Sequence, residues 1–307
     1  MAPSFGRSIS FPLSPARSSS KPRAAAAAAA ARHVRSISLP SCRAHPLLTH
    51  LQSTIHAARS WAAAAAEPTT SPSSGLAHLD ALHAALAELL LLPEARAALL
   101  HSATAECLLD GFLVLADAHG AFQEALLDLK RHAADVQAAL RRRRRLDHQA
   151  TTTRLAATVR AQRHAEKDLA RLASSVRAAA KFPAQLVAGS SGASVAEIEV
   201  AAVLAEAVAA VASASAAVFS AVESVSSAAS TAVIASSSKK PAATTLISQL
   251  VTRSSKTAAS SDEDKEMAAL DRLERLDECI AKMEAGSDRV FRSILHTRVA
   301  LLNIHTC

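Results

Sequence analysis

The chain has 307 residues, half of them apolar, with one Trp, no Tyr and seven Phe; one or two domains fit that length, but a core of large aromatic side chains does not. Alanine and leucine, which favour helices, dominate while the aromatic residues that strands prefer are scarce, so the expected class is all-α. The net charge of +7 does not mark a nucleic-acid binder: residues 1–66 carry eight Arg and Lys and no carboxylate, whereas the remainder holds 26 basic against 27 acidic groups, and outside one arginine run it offers neither a basic stripe nor rings for stacking.

Residues 1 to about 74 are rich in Ser, Pro, Ala and Arg, a composition that buries too little apolar surface to offset ordering, and the segment is expected to be a disordered tail. Within it Arg7-Ser8-Ile9-Ser10-Phe11-Pro12 returns as Arg35-Ser36-Ile37-Ser38-Leu39-Pro40. Each copy places Arg three residues before a Ser and Pro two after it, which suits a basophilic kinase and then a 14-3-3 protein gripping phosphorylated Ser10 or Ser38 with an Arg cluster. Two copies on one tether would engage both halves of a dimeric reader. The alternative is a transit peptide, since the stretch is Arg-rich, Ser-rich and free of carboxylates; residues 1–34 would then direct the chain to chloroplast or mitochondrion.

From Gly75 the spacing of Leu76, Leu79, Leu82, Leu86 and Leu89 predicts a helix closed by Pro93. A second is expected from Glu94 toward Gly120, and a third over Phe122, Leu126, Leu129, Ala133, Val136 and Leu140, a heptad seam. That helix ends in Arg141, Arg142, Arg143, Arg144 and Arg145. Five cations there complement the negative end of the helix dipole; the sharper reading is a nuclear-import or nucleic-acid patch. A fourth helix is expected over about 152–181, before Pro183 and Gly189.

Ala207 to Val222 is uncharged for sixteen residues between Glu206 and Glu223, short of the roughly twenty that span a membrane. A buried core helix over 195–235 is expected, with membrane association as the alternative. After a linker at 236–261, Ser260 and Glu263 have capping-box spacing. The last helix then carries a seam of Leu273, Leu276, Ile280, Met283, Val290, Ile294 and Leu301, read as a coiled-coil-like face for a partner or for self-association. At about 1.5 Å per residue it would reach roughly 60 Å, which favours an elongated bundle. The organisation expected is thus a tail over 1–74 and a helical domain over 75–307, with linkers near 183–194 and 236–261.

Catalytic constellations are missing. The seven glycines build no phosphate-cradling loop and no Gly-x-Ser-x-Gly elbow, and the thirteen histidines form no His-Glu-x-x-His array. His78 and His83, like His101 and Cys107, are spaced onto different helix faces. Cys42, Cys107, Cys279 and Cys307 form no Cys-x-x-Cys pair, so neither a zinc site nor a disulfide framework is expected, and no cofactor is anticipated.

Several ordered landmarks carry a family resemblance over about residues 35–305. They are Arg35-Ser36-Ile37-Ser38-Leu39-Pro40-Ser41 with His45-Pro46 and Trp61; Leu91-Leu92-Pro93; Leu108-Leu109-Asp110-Gly111; and Val136 through Arg144. The closing stretch is the most specific: Met283-Glu284-Ala285-Gly286, Val290-Phe291-Arg292 and Thr297 through Ile304. In these the chain resembles the plant-specific domain-of-unknown-function family that contains the BYPASS-related proteins. The resemblance implies a largely helical protein connected with root and shoot development and brings no catalytic residue. Residues 1–34 depart from it, because the family usually begins near the Arg-Ser-x-Ser motif. The function expected is a non-enzymatic regulatory or scaffold protein acting through protein contacts, cytoplasmic, or nuclear if the arginine run is an import signal.

Overall fold

A computed structural model describes residues 45–65, 70–100, 102–143, 148–179, 195–237 and 255–306. Among these residues the chain is helical without strands: α1 (Pro46–Ala64), α2 (Pro72–Leu90), α3 (Pro93–Leu99), α4 (Ala103–Arg143), α5 (His148–Ala179), α6 (Val195–Ser237) and α7 (Ser255–Thr306). They form a bundle of long helices, as the composition implies. At about 1.5 Å per residue, the 52 residues of α7 span about 78 Å.

Helix α1 corrects the tail expectation. Averaged over residues 1–74 the composition is that of a disordered segment, but Leu48, Leu51, Ile55, Ala58 and Trp61 fall on one face of α1 and are buried. Pro46 occupies the first turn, and the Leu47 amide donates to Nδ1 of His45, the N-cap, so the start is both pre-set and satisfied. Residues 1–44 lie outside the described residues.

The expected break at Gly120 does not occur. Helix α4 runs unbroken for 41 residues, and its start at Ala103 is capped by Ser102, whose hydroxyl accepts from the Ala105 amide. A glycine costs a helix interior about 1 kcal/mol relative to alanine, too little to end one that is packed along its length. Likewise α7 begins at Ser255, which places Ser260 and Glu263 inside its opening turns rather than at its mouth.

Helix α6 carries no charged residue between Glu206 and Glu223 and touches every other described helix, as a central helix must. Around it the ion pairs fix direction. Glu106 with His305, Lys130 with Glu284 and Arg141 with Glu274 set α4 antiparallel to α7. Asp80 with Arg289 and His83 with Thr297 set α2 parallel to it.

Candidate functional site

The interior is built largely of Ala, Val and Leu, and several of its buried polar groups tie two helices together. His83 of α2 meets Thr297 Oγ1 of α7 at 3.1 Å. Thr297 spends its own proton on the Ser293 carbonyl at 2.8 Å, so His83 donates through Nδ1, leaving Nε2 as a buried acceptor without a protein partner. His119 of α4 lies 2.8 Å from Ser215 Oγ of α6, packed edge-on against Phe219 with ring centroids 5.2 Å apart. Burial lowers the His83 pKa to about 4; burial and then the charge of His83 lower that of His119 to about 3. Both imidazoles are therefore neutral at physiological pH.

Further along the bundle, Gln162 and Glu166 of α5 face Ser226 and Ser230 of α6. Gln162 Nε2 donates to Ser226 Oγ at 3.0 Å, and Ser226 donates onward to Glu166 Oε1 at 2.8 Å. Desolvation raises the Glu166 pKa, and the two serine hydroxyls partly offset it.

His119 and Ser215 have the separation of a base and its nucleophile, yet both are wholly buried and no carboxylate is bonded to the imidazole. They serve as an internal helix tie. An open cavity of about 720 Å³ between the start of α2 and the middle of α7 is lined by Ser71, Ser73, Arg272, Arg275, Cys279 and Lys282, among others. Its cations are engaged: Arg272 with the Ala228 carbonyl, Arg275 with Asp271 and Lys282 with Glu278. Burial raises the Cys279 pKa, which keeps it a thiol rather than a nucleophile. Among the described residues no group of three or more His, Cys, Asp or Glu could hold a metal ion.

The sites expected from sequence are dispersed. Ser10, Ser38, Arg144 and Arg145 lie outside the described residues. Arg141 and Arg142 are exposed at the end of α4, where Arg141 pairs with Glu274 of α7 at 3.8 Å; Arg143 is the last residue of α4. Leu273, Leu276, Ile280, Met283, Val290, Ile294 and Leu301 are all buried. The partner of that seam is the chain's own α2, α4 and α6, because a heptad stripe announces a neighbour without saying whose it is. Sequence reasoning missed His119 with Ser215 and His83 with Thr297, whose partners lie on other helices.

A family model, Protein BPS1, matches residues 75–304. The chain belongs to the Protein BPS1 family. This is the family of the BYPASS-related plant proteins, so membership connects the chain with plant development, and the BPS1 family is not a known enzyme family. No curated protein and no solved structure matches the chain. Helix α1 precedes the matched span, although it packs on α2 and α6.

Proposed function

We propose that this member of the BPS1 family is a non-enzymatic regulatory or scaffold protein of root and shoot development that acts through protein contacts. The observation that carries this reading is the sealing of the chemically capable side chains: His119 and Ser215 have no exposure. What meets solvent is a set of helix ridges. The membrane-associated alternative is less well supported, because 78% of the apolar window in α6 is buried inside the bundle.

The test is rescue of the developmental defect in plants lacking the protein. Ser215→Ala, Cys107→Ser and Cys279→Ser variants, each shown by circular dichroism to be folded, are expected to rescue fully. A folded Ser215→Ala that fails to rescue would overturn the contact reading in favour of catalysis. The tail supplies a second element, docking of a 14-3-3 protein on phosphorylated Ser10 and Ser38. Calorimetry with a doubly phosphorylated peptide is expected to show binding that the unphosphorylated peptide lacks, and absence of heat with both removes this partner. The expected location is the cytosol or nucleus, visible with a C-terminal fluorescent tag; an organellar signal lost on removing residues 1–34 would mark the tail as an address instead.

A further inference from the structure

The cavity of about 720 Å³ between the start of α2 and the middle of α7 is lined by three cations, Arg272, Arg275 and Lys282, against one carboxylate, Glu278. Each cation is held lightly. Arg272 donates to the Ala228 carbonyl at 3.3 Å, which engages one of the five donors of a guanidinium. Arg275 pairs with Asp271 one turn away on α7, and Lys282 stands 3.9 Å from Glu278, beyond hydrogen-bond range. All four side chains of these two ion pairs are more than half exposed, and pairs of that kind contribute little. A stronger anion reaching the cavity would draw the cations onto itself.

Ser71, the N-cap of α2, lines the same cavity. It is exposed and is followed by Pro72; of the chain's two Ser-Pro dipeptides, Ser14-Pro15 and Ser71-Pro72, this is the one among the described residues. Its backbone is extended, with φ −77° and ψ 131°, and is fixed on both sides. The Ser71 carbonyl accepts from the Ser74 amide at 3.1 Å and the Ser74 hydroxyl at 2.7 Å, and just before it the Thr70 hydroxyl donates to the Ala64 carbonyl at 3.0 Å. The Ser71 hydroxyl is not spent in this way. An N-cap serine ordinarily accepts from a helix amide, but Ser71 Oγ makes no such bond and meets Ser73 Oγ at 2.8 Å instead.

We propose that Ser71 is a phosphorylation site for a proline-directed kinase, and that the cavity is the seat of its phosphate, gripped by Arg272, Arg275 and Lys282. In the transfer a bond forms between Ser71 Oγ and the γ-phosphorus of a nucleoside triphosphate. The bond from that phosphorus to the β–γ bridging oxygen breaks, the nucleoside diphosphate leaves, and the hydroxyl proton passes to the base of the kinase. The product carries a charge of about −1.5 to −2 and three acceptor oxygens, which suit an arginine cluster. It also stands at the start of a helix, where the dipole favours negative charge. The modification ties the start of α2 to the middle of α7 and so changes the bundle's own surface at that point. This site is separate from Ser10 and Ser38, and the inference does not depend on the developmental reading.

The test has two arms. A panel of proline-directed kinases is screened with ATP on a peptide of residues 66–76, and those that modify it are applied to the folded full chain. Mass spectrometry is expected to find phosphate on Ser71 of the chain, lost in Ser71→Ala. A panel that leaves the peptide unmodified, or a chain that refuses phosphate at Ser71, overturns the site. In the second arm the full chain is made with phosphoserine at position 71, and its phosphorus resonance is followed against pH beside that of the phosphorylated peptide. Cations in contact with the phosphate favour its dianion, so its second pKa is expected to fall about one unit below that of the peptide. In a variant carrying Arg272→Gln and Lys282→Gln, confirmed as folded by circular dichroism, most of that difference should disappear. A phosphate that titrates like the peptide's, or one whose lowered pKa survives in the variant, would show that the cavity does not hold it, and the proposal would fall.

Discussion

Gly75 shows how one missing methyl sets a helix packing. The Trp61 indole of α1 lies where a Cβ on Gly75 would stand, with ring atoms 2.2 to 2.6 Å from it. Trp61 Nε1 donates to Ser74 Oγ at 2.8 Å, and that hydroxyl donates to the Ser71 carbonyl at 2.7 Å. Gly75→Ala gains helix propensity but must displace a flat, hydrogen-bonded ring. It is expected to destabilise the protein by about 1–3 kcal/mol in urea unfolding and to shift the emission of the single Trp to the red. Gly286→Ala meets the Leu76 side chain, closest at its flexible Cδ1 at 2.8 Å, and should cost less; equal costs would mean that the ring is not the constraint.

The buried histidines set a second expectation at this scale. Their folded pKa values, about 4 for His83 and about 3 for His119, lie below the unfolded 6.5. Below pH 6.5 the unfolded chain therefore takes up protons that the folded chain refuses, and stability falls on acidification. The two together should remove roughly 3–4 kcal/mol between pH 7 and pH 5, read as a drop in urea midpoint. A His83→Gln, His119→Gln protein should show a clearly shallower slope over the same range, whatever its absolute stability. An unchanged slope would place the acid sensitivity elsewhere. None of this was legible in the sequence, because Thr297 lies 214 positions from His83 and only the tertiary fold joins them.

At the scale of elements, legibility followed amphipathicity. Leu76, Leu79, Leu82, Leu86 and Leu89 fall on one stripe and are all buried in α2, and the seam of α7 was visible for the same reason. Helix α1 was hidden by averaging composition over a longer segment, and Gly120 misled because local propensity is weak beside packing along α4. Helix α6 has no polar face to read: Ala207, Val208, Ala210, Val211, Ala212, Ala214, Ala216, Val218 and Phe219 are all buried. Its alanines admit the neighbouring helices closely, so added volume has nowhere to go. Ala212→Leu is expected to cost about 1–3 kcal/mol through overpacking, whereas Ala157→Leu on the exposed side of α5 should stay within about 0.5 kcal/mol of the parent. Thermal unfolding of the pair checks this, and equal midpoints would mean that the surroundings of α6 are loosely packed.

At the scale of the whole molecule, the sequence supplied faces but not their pairing. Nothing in a single chain states that α7 runs parallel to α2 and antiparallel to α4, since the ion pairs that reveal it join residues far apart in sequence. The resulting arrangement makes α6 the element on which the others converge, and this separates the soluble-core reading from the membrane reading. Removing α6 from the bundle breaks its contacts with six helices, so its central amides should exchange with solvent only through global unfolding. Hydrogen exchange on the full chain is expected to be slowest in the Ala207–Val222 stretch and measurably faster in α1, which packs chiefly on α2 and α6. The same stretch should not retain the protein in membranes after alkaline carbonate extraction. Slow exchange in α7 with fast exchange in α6 would mean that the apolar helix leaves the bundle readily, as insertion into a bilayer demands, and the core role assigned to it would fall.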